Sequence, residues 1–97
     1  MPAYFVAIAT IKDQTKYQEY GEKARPTLLA HGGTLVTRGA FTEALVGTKP
    51  GDLMLVAEFP SADAIRTWYN SAEYQEAVPI REQAMEANFM ILEPPPE

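Results

Sequence analysis

From Tyr4 to Ile11 the chain is apolar, aromatic and β-branched without a charge, bounded by Pro2 and by Lys12-Asp13, and it reads as a β-strand. Its two parities are Tyr4, Val6, Ile8, Thr10 and Phe5, Ala7, Ala9, Ile11, so neither face is clearly polar and the strand is expected to be covered on both sides. After Asp13 the period changes. Tyr17, Tyr20, Ala24 and Leu28 recur at three- and four-residue steps while Lys16, Glu19, Glu22 and Lys23 fall on other faces, which predicts a helix from Gln14 to His31 with Asp13 as its N-cap. Gly21 and Pro26 weaken that helix, and Pro26, unable to donate to the Glu22 carbonyl, is expected to kink or break it. Gly32-Gly33 ends it, Gly32 taking the left-handed conformation without steric penalty.

A second strand is predicted over Thr34–Arg38, with a bulge at Gly39-Ala40 and renewed pairing over roughly Thr42–Val46. Pro50-Gly51 marks a turn. Leu53–Phe59 is the third strand, with Leu53, Leu55, Ala57 and Phe59 on one face and Met54, Val56 and Glu58 on the other. Ser61 caps a second helix whose apolar side is Ile65, Trp68 and Tyr69; Ser71 recaps after Asn70, and helix continues from Ala72 to about Ala87 with a bend or restart at Pro79. Phe89–Leu92 reads as a fourth strand, and residues 93–97, Glu-Pro-Pro-Pro-Glu, as an extended tail that cannot join a sheet.

The order βαββαβ, in one domain spanning residues 1–97, packs most simply as an α+β ferredoxin-like fold: a four-stranded antiparallel sheet with both helices on one face. Strands one, three and four are apolar on the other face as well. At about 25 cal/mol per Å² of apolar surface, leaving that face wet forgoes more than the typical stability of so small a domain, so a second copy of the sheet is its expected cover.

Composition narrows the partners. Eight Lys and Arg against thirteen Asp and Glu give a net charge of −5, and the basic residues are scattered, which argues against nucleic acid and against an anionic membrane. There is no cysteine, hence no disulfide, thiolate ligand or cysteine nucleophile. One histidine and no suitably spaced acidic cluster leave no metal site to expect, and no cofactor motif is present. The N-terminus lacks the features of a signal peptide, which makes a cytoplasmic protein the expectation. Gly32-Gly33 follows a helix rather than opening one, so it is no phosphate loop, and no G-x-S-x-G elbow surrounds a serine.

The candidate chemistry centres on Glu58, a carboxylate within an apolar strand that needs a partner, a hydrogen bond or a proton. With the turn at Pro50-Gly51 and a bulge at Gly39-Ala40, Arg38 falls almost opposite it, as an ion-pair partner or as the anchor for an anionic ligand beside a functional acid or base. His31, in the last turn of the first helix, is read as a dipole-favoured cap or as a base. Trp68, Tyr69 and Tyr74 are core residues or pocket walls, and Arg81 projects toward them, with Glu73, Glu76 or Glu82 as candidate salt-bridge partners.

Taken together, Gly32-Gly33, Arg38-Gly39-Ala40, Glu58-Phe59-Pro60-Ser61, Trp68-Tyr69, Ser71-Ala72-Glu73-Tyr74 and Arg81 resemble the pattern of the DUF1330 family of the dimeric α/β-barrel superfamily. Ala40 departs from it where a second glycine is common, as does Val46, before Gly47, where a glutamate is common. The resemblance implies a ferredoxin-like dimer with facing sheets but no settled activity. Its wider superfamily includes monooxygenases without metal or flavin, lactone isomerases and haem enzymes, a breadth that forbids borrowing chemistry from the fold. The residues themselves point to a homodimer binding a small acidic or aromatic molecule between sheet and helices, with cofactor-independent proton-transfer chemistry (isomerase, cyclase or lyase type) as the first expectation. A noncatalytic binding protein and a cofactor-free monooxygenase are the alternatives.

Overall fold

The computed structural model describes residues 1–95. Strands and helices alternate as β1 (Ala3–Ile11), α1 (Gln14–Ala30), β2 (Thr34–Ala40), β3 (Leu53–Phe59), α2 (Ala62–Tyr69), α3 (Ala72–Gln75), α4 (Val78–Ala84) and β4 (Met85–Leu92). The strands form one antiparallel sheet in the order β2-β3-β1-β4, so each helical crossover joins two strands that run parallel with a third between them. This is the predicted ferredoxin-like arrangement.

Alternation along β1 sets the two faces. Ala3, Phe5, Ala7 and Ala9 are buried under the helices, while Tyr4, Val6 and Ile8 point the other way and are half-buried. Phe5, Ala57, Phe59, Ile65, Trp68 and Tyr74 form the main core.

The predicted caps are made. Asp13 accepts the Lys16 amide at 3.1 Å, and Ser61 and Ser71 accept those of Ala64 and Tyr74 at 3.1 and 3.2 Å. At the end of α1 the Gly33 amide reaches the Leu28 carbonyl at 2.9 Å and the Gly32 amide that of Leu29 at 3.2 Å, with Gly32 at φ +87°, a Schellman closure. A β-carbon on Gly33 would come within 2.6 Å of Leu28 and 2.7 Å of Phe59, so glycine there lets α1 end directly against β3.

Three expectations are corrected. Of the kink or break expected at Pro26, the break does not occur: helix α1 is continuous through it, and proline and Glu22 both lie on its exposed side, where water can serve the freed carbonyl. Helix α4 stops at Ala84, not Ala87, and β4 begins at Met85, because the end of β1 needs a partner: Ile11 pairs with Met85 and Thr10 with Glu86, while the Lys12 and Asp13 amides both donate to the Ala84 carbonyl, at 2.8 and 3.1 Å. The bulge of β2 lies between Leu35 and Thr37 rather than at Gly39-Ala40, and residues 41–50 carry no strand. Of the expected tail, residues 93–95 have no helix or strand and 96–97 lie outside the described residues.

Candidate functional site

The register of β2 on β3 decides the geometry of the site. One extra residue at Val36 turns the rest of β2 over, since strand side chains alternate between faces. With residues 41–50 unpaired, Ala40 meets Leu53 and Arg38 stands opposite Leu55 on the helix-covered face, three positions along β3 from Glu58. Glu58 pairs in register with Thr34 on one side and Tyr4 on the other, exposed on the outer face of the sheet. The two residues expected to meet lie on opposite sides of the sheet. An ion pair between them, or a shared pocket, is excluded, and Glu58 escapes the penalty of a buried carboxylate by being exposed.

On the inner face a cleft of about 730 Å³ separates α1 from the sheet. Small side chains make the space: Ala7 and Ala9 form part of the floor, and Gly21 and Ala24 face it from the helix. Leu53 and Leu55 extend the floor toward β2, while Phe5, Trp68 and Phe89 close one end. Arg38 and Tyr17 line it from β2 and α1, with the Arg38 Nη2 donating to the Tyr17 hydroxyl at 3.2 Å and its guanidinium carbon 5.8 Å from the centre of that ring. Among the described residues no carboxylate lies within 4.0 Å of Arg38.

Behind the cleft stands a phenol network. Tyr20, which also lines the cavity, shares a 2.8 Å hydrogen bond with Tyr74; Arg81 donates to the Tyr74 hydroxyl at 2.9 Å and to that of Tyr69 at 3.3 Å. The Arg81 guanidinium sits 5.1 Å from the Phe89 ring centre and 5.8 Å from that of Tyr69. The expected salt bridges of Arg81 to Glu73, Glu76 or Glu82 are replaced by these neutral partners. Burial pushes the Tyr20 phenol well above its ordinary value, and the neighbouring Tyr74 adds to the rise. Burial also raises Tyr74, against the pull of its bonds to Tyr20 and Arg81. For Arg81 burial works against the charge, but the hydrogen bonds it donates to Tyr69 and Tyr74 outweigh it and the net movement is upward. Both phenols are thus held neutral and the guanidinium charged.

Trp68 is 1% exposed and donates its indole N–H to the Thr27 hydroxyl at 3.0 Å, which in turn donates to the Ala24 carbonyl at 2.6 Å. Its ring meets Phe5 edge-on at 5.0 Å and lies 4.6 Å from Tyr74. The tryptophan is at once core and cavity wall.

The DUF1330 family, described as a domain of unknown function, matches residues 2–94. The chain belongs to that family. Among solved structures, this DUF1330 chain is similar to a protein of unknown function from Rhodopseudomonas palustris, at 24% identity over 99% of this chain and 84% of that one, with a TM-score of 0.82. It is similar also to SnoaB, a cofactor-independent oxygenase from Streptomyces nogalater (11% identity, 99% and 95% covered, TM-score 0.71), and to a dimeric ferredoxin-like protein of unknown function from Thermobifida fusca (14%, 95% and 90%, 0.66). At these identities the likeness is one of fold. No curated protein matches the chain.

Within the DUF1330 chain, Arg38 and Trp68 of the expected site residues line the cleft; Tyr69, Tyr74 and Arg81 stand behind it and bear on Tyr20. His31 lies apart, as the C-cap of α1, with its Nε2 3.2 Å from the Glu73 carboxylate. Tyr17, Tyr20 and Gly21 were legible only as a helix face and a weak point in it. The signal that could have found them is the pairing of two small-residue positions, Ala7 and Ala9 on one parity of β1, with Gly21 and Ala24 one helical turn apart. No helix among the described residues is long and apolar enough to cross a membrane.

Proposed function

We propose that the cleft between α1 and the sheet binds a small organic acid with an apolar body, and that Arg38 holds its carboxylate. The observation that carries this reading is a guanidinium facing a mostly apolar cavity with a phenol, Tyr17, as its hydrogen-bond partner and, among the described residues, no carboxylate within 4.0 Å. The cavity volume falls in the range of small-molecule pockets, which are mostly apolar with a few placed polar groups. Arg38 offers a planar fork that matches a carboxylate, and Tyr17 fixes one of its arms. Trp68 supplies a rigid end wall, and Arg81, through Tyr74, holds Tyr20 in place along the side.

The geometry favours binding over proton-transfer chemistry. Glu58 is on the opposite face of the sheet and His31 is paired with Glu73, which leaves Glu22 as the carboxylate at the cleft. A cofactor-independent oxygenase is the second reading, supported by the fold shared with SnoaB. Oxygen uptake on adding a phenolic acid would decide for it.

We infer further that the chain acts as a homodimer through the outer face of the sheet. Val6, Ile8, Met54 and Val56 lie there with Met90 and Leu92, and no helix among the described residues covers them. Sedimentation at micromolar concentration is expected to give twice the chain mass; a stable monomer would sink this part. Calorimetric titration with carboxylic acids and their neutral amides tests the ligand reading. The acid is expected to bind at least about tenfold more tightly than its amide, since hydrogen bonds to charged groups contribute about 1.5–3 kcal/mol, and Arg38→Gln should abolish the difference. Equal binding of acid and amide to the unaltered protein would refute the role of Arg38.

A further inference from the structure

Gly21 sits in the middle of α1, and nothing in the packing of the fold requires a glycine there. Its backbone is ordinary helix, since the positive-φ glycines are Gly32 and Gly47. A β-carbon at this position would meet only the far end of the Arg25 side chain, at 3.8 Å, which is normal contact with a mobile group. No neighbouring helix or strand comes close enough to explain it. Glycine is among the poorest residues for a helix interior, so the chain carries a local destabilisation without a packing return. The space in front of Gly21 is the cleft.

We propose that Gly21 is a specificity-determining residue: it lets a flat aromatic acid lie against the α1 backbone, its ring plane between Gly21 on the helix and Ala7 and Ala9 on the sheet, its carboxylate on Arg38. This rests on the ligand reading above and names the ligand class. The two walls present backbone and single methyl groups, which make level surfaces, and the end wall of Phe5, Trp68 and Phe89 presents ring faces and edges suited to an aromatic body. A saturated ring of the same carbon skeleton is thicker and puckered. It would have to push α1 away from the sheet.

The test pairs stability with affinity in one variant. Gly21→Ala is expected to raise the melting temperature, by about 4–8 °C if the full helix-propensity gain is realised in a domain of this size, while weakening binding of 2-naphthoate at least about tenfold. The unaltered protein, independently of any variant, is expected to bind 2-naphthoate at least about tenfold more tightly than decahydro-2-naphthoate. A melting temperature that falls in Gly21→Ala would show that the fold itself needs the glycine, and unchanged affinity would show that the ligand does not approach it; either result overturns the proposal and leaves the cleft reading standing. Equal affinity for the flat and the saturated acid overturns the ligand class alone. If neither acid binds the unaltered protein, the cleft reading falls and this inference with it.

Discussion

The helical layer is built in two ways over one sheet. Around α2 and α3, the aromatic side chains Phe5, Phe59, Trp68, Tyr69 and Tyr74 interlock, with ring centres 4.6–6.4 Å apart across the five neighbouring pairs that involve Trp68 or join Tyr69 to Tyr74. Under α1 the sheet presents alanines and the helix answers with Gly21 and Ala24, so the two layers stand apart over a cavity. The same chain packs one half of its interior to close contact and leaves the other half open. Dense packing is the ordinary outcome for a buried face, so the open half is the part that calls for a reason beyond stability.

Removing the centre of the packed half should have the largest effect. Trp68→Ala deletes a side chain that is 1% exposed, touches four aromatic neighbours and satisfies Thr27, and is expected to destabilise the domain by about 3–5 kcal/mol in a urea titration. On the open side Leu35→Ala, at a cleft-lining position that is 51% exposed, should cost less than about 1 kcal/mol. Similar losses from the two would show that the cleft is closed in solution and the contrast between the halves false.

The phenol network joins the halves, and its removal is the intermediate case. Tyr74→Phe keeps the ring but strips the hydroxyl that both Tyr20 and Arg81 use, so a cost of about 1–3 kcal/mol is expected. The same network predicts a pH dependence. Tyr20 and Tyr74 both have folded-state values raised above the ordinary phenol value of 10.0, so the unfolded chain loses those protons first. Their contribution is intact below pH 10.0 and declines as pH rises beyond it toward the folded-state values. Thermal melts across that alkaline range should show falling stability that is shallower in Tyr74→Phe; identical slopes would place the sensitive groups elsewhere.

The packed half was the more legible in sequence. Ser61, Ile65, Trp68 and Ser71 announce a capped amphipathic helix, and the order of elements then leaves few arrangements for the sheet. The position of a bulge was not legible, because Gly39 is a conventional bulge residue and Val36 is not; β-bulges at ordinary residues are fixed by how the strand meets its neighbour. The register with β3, in which residues 41–50 take no part, set Arg38 against Leu55 on the other face and parted it from Glu58. The cleft was missed for a related reason. Alanine in a strand and glycine in a helix read separately as weak propensity, and only the superposition of α1 on β1 turns them into a space.

Arg38→Gln should have the smallest effect on stability and sharpens the contrast most. The side chain is exposed and its contacts are a 3.2 Å hydrogen bond and a stacking approach to Tyr17, a neutral residue that is itself half-exposed. Surface substitutions of this kind usually stay within about 0.5 kcal/mol, and glutamine keeps a donor near the phenol. A structural arginine would behave otherwise, since removing one partner of a buried ion pair costs several kcal/mol. Unchanged urea and thermal midpoints, together with lost discrimination between acid and amide, are therefore expected from the one variant. A loss of stability approaching that of Tyr74→Phe would mean that Arg38 ties β2 to α1, and that the open half is braced across its mouth by the contact to Tyr17.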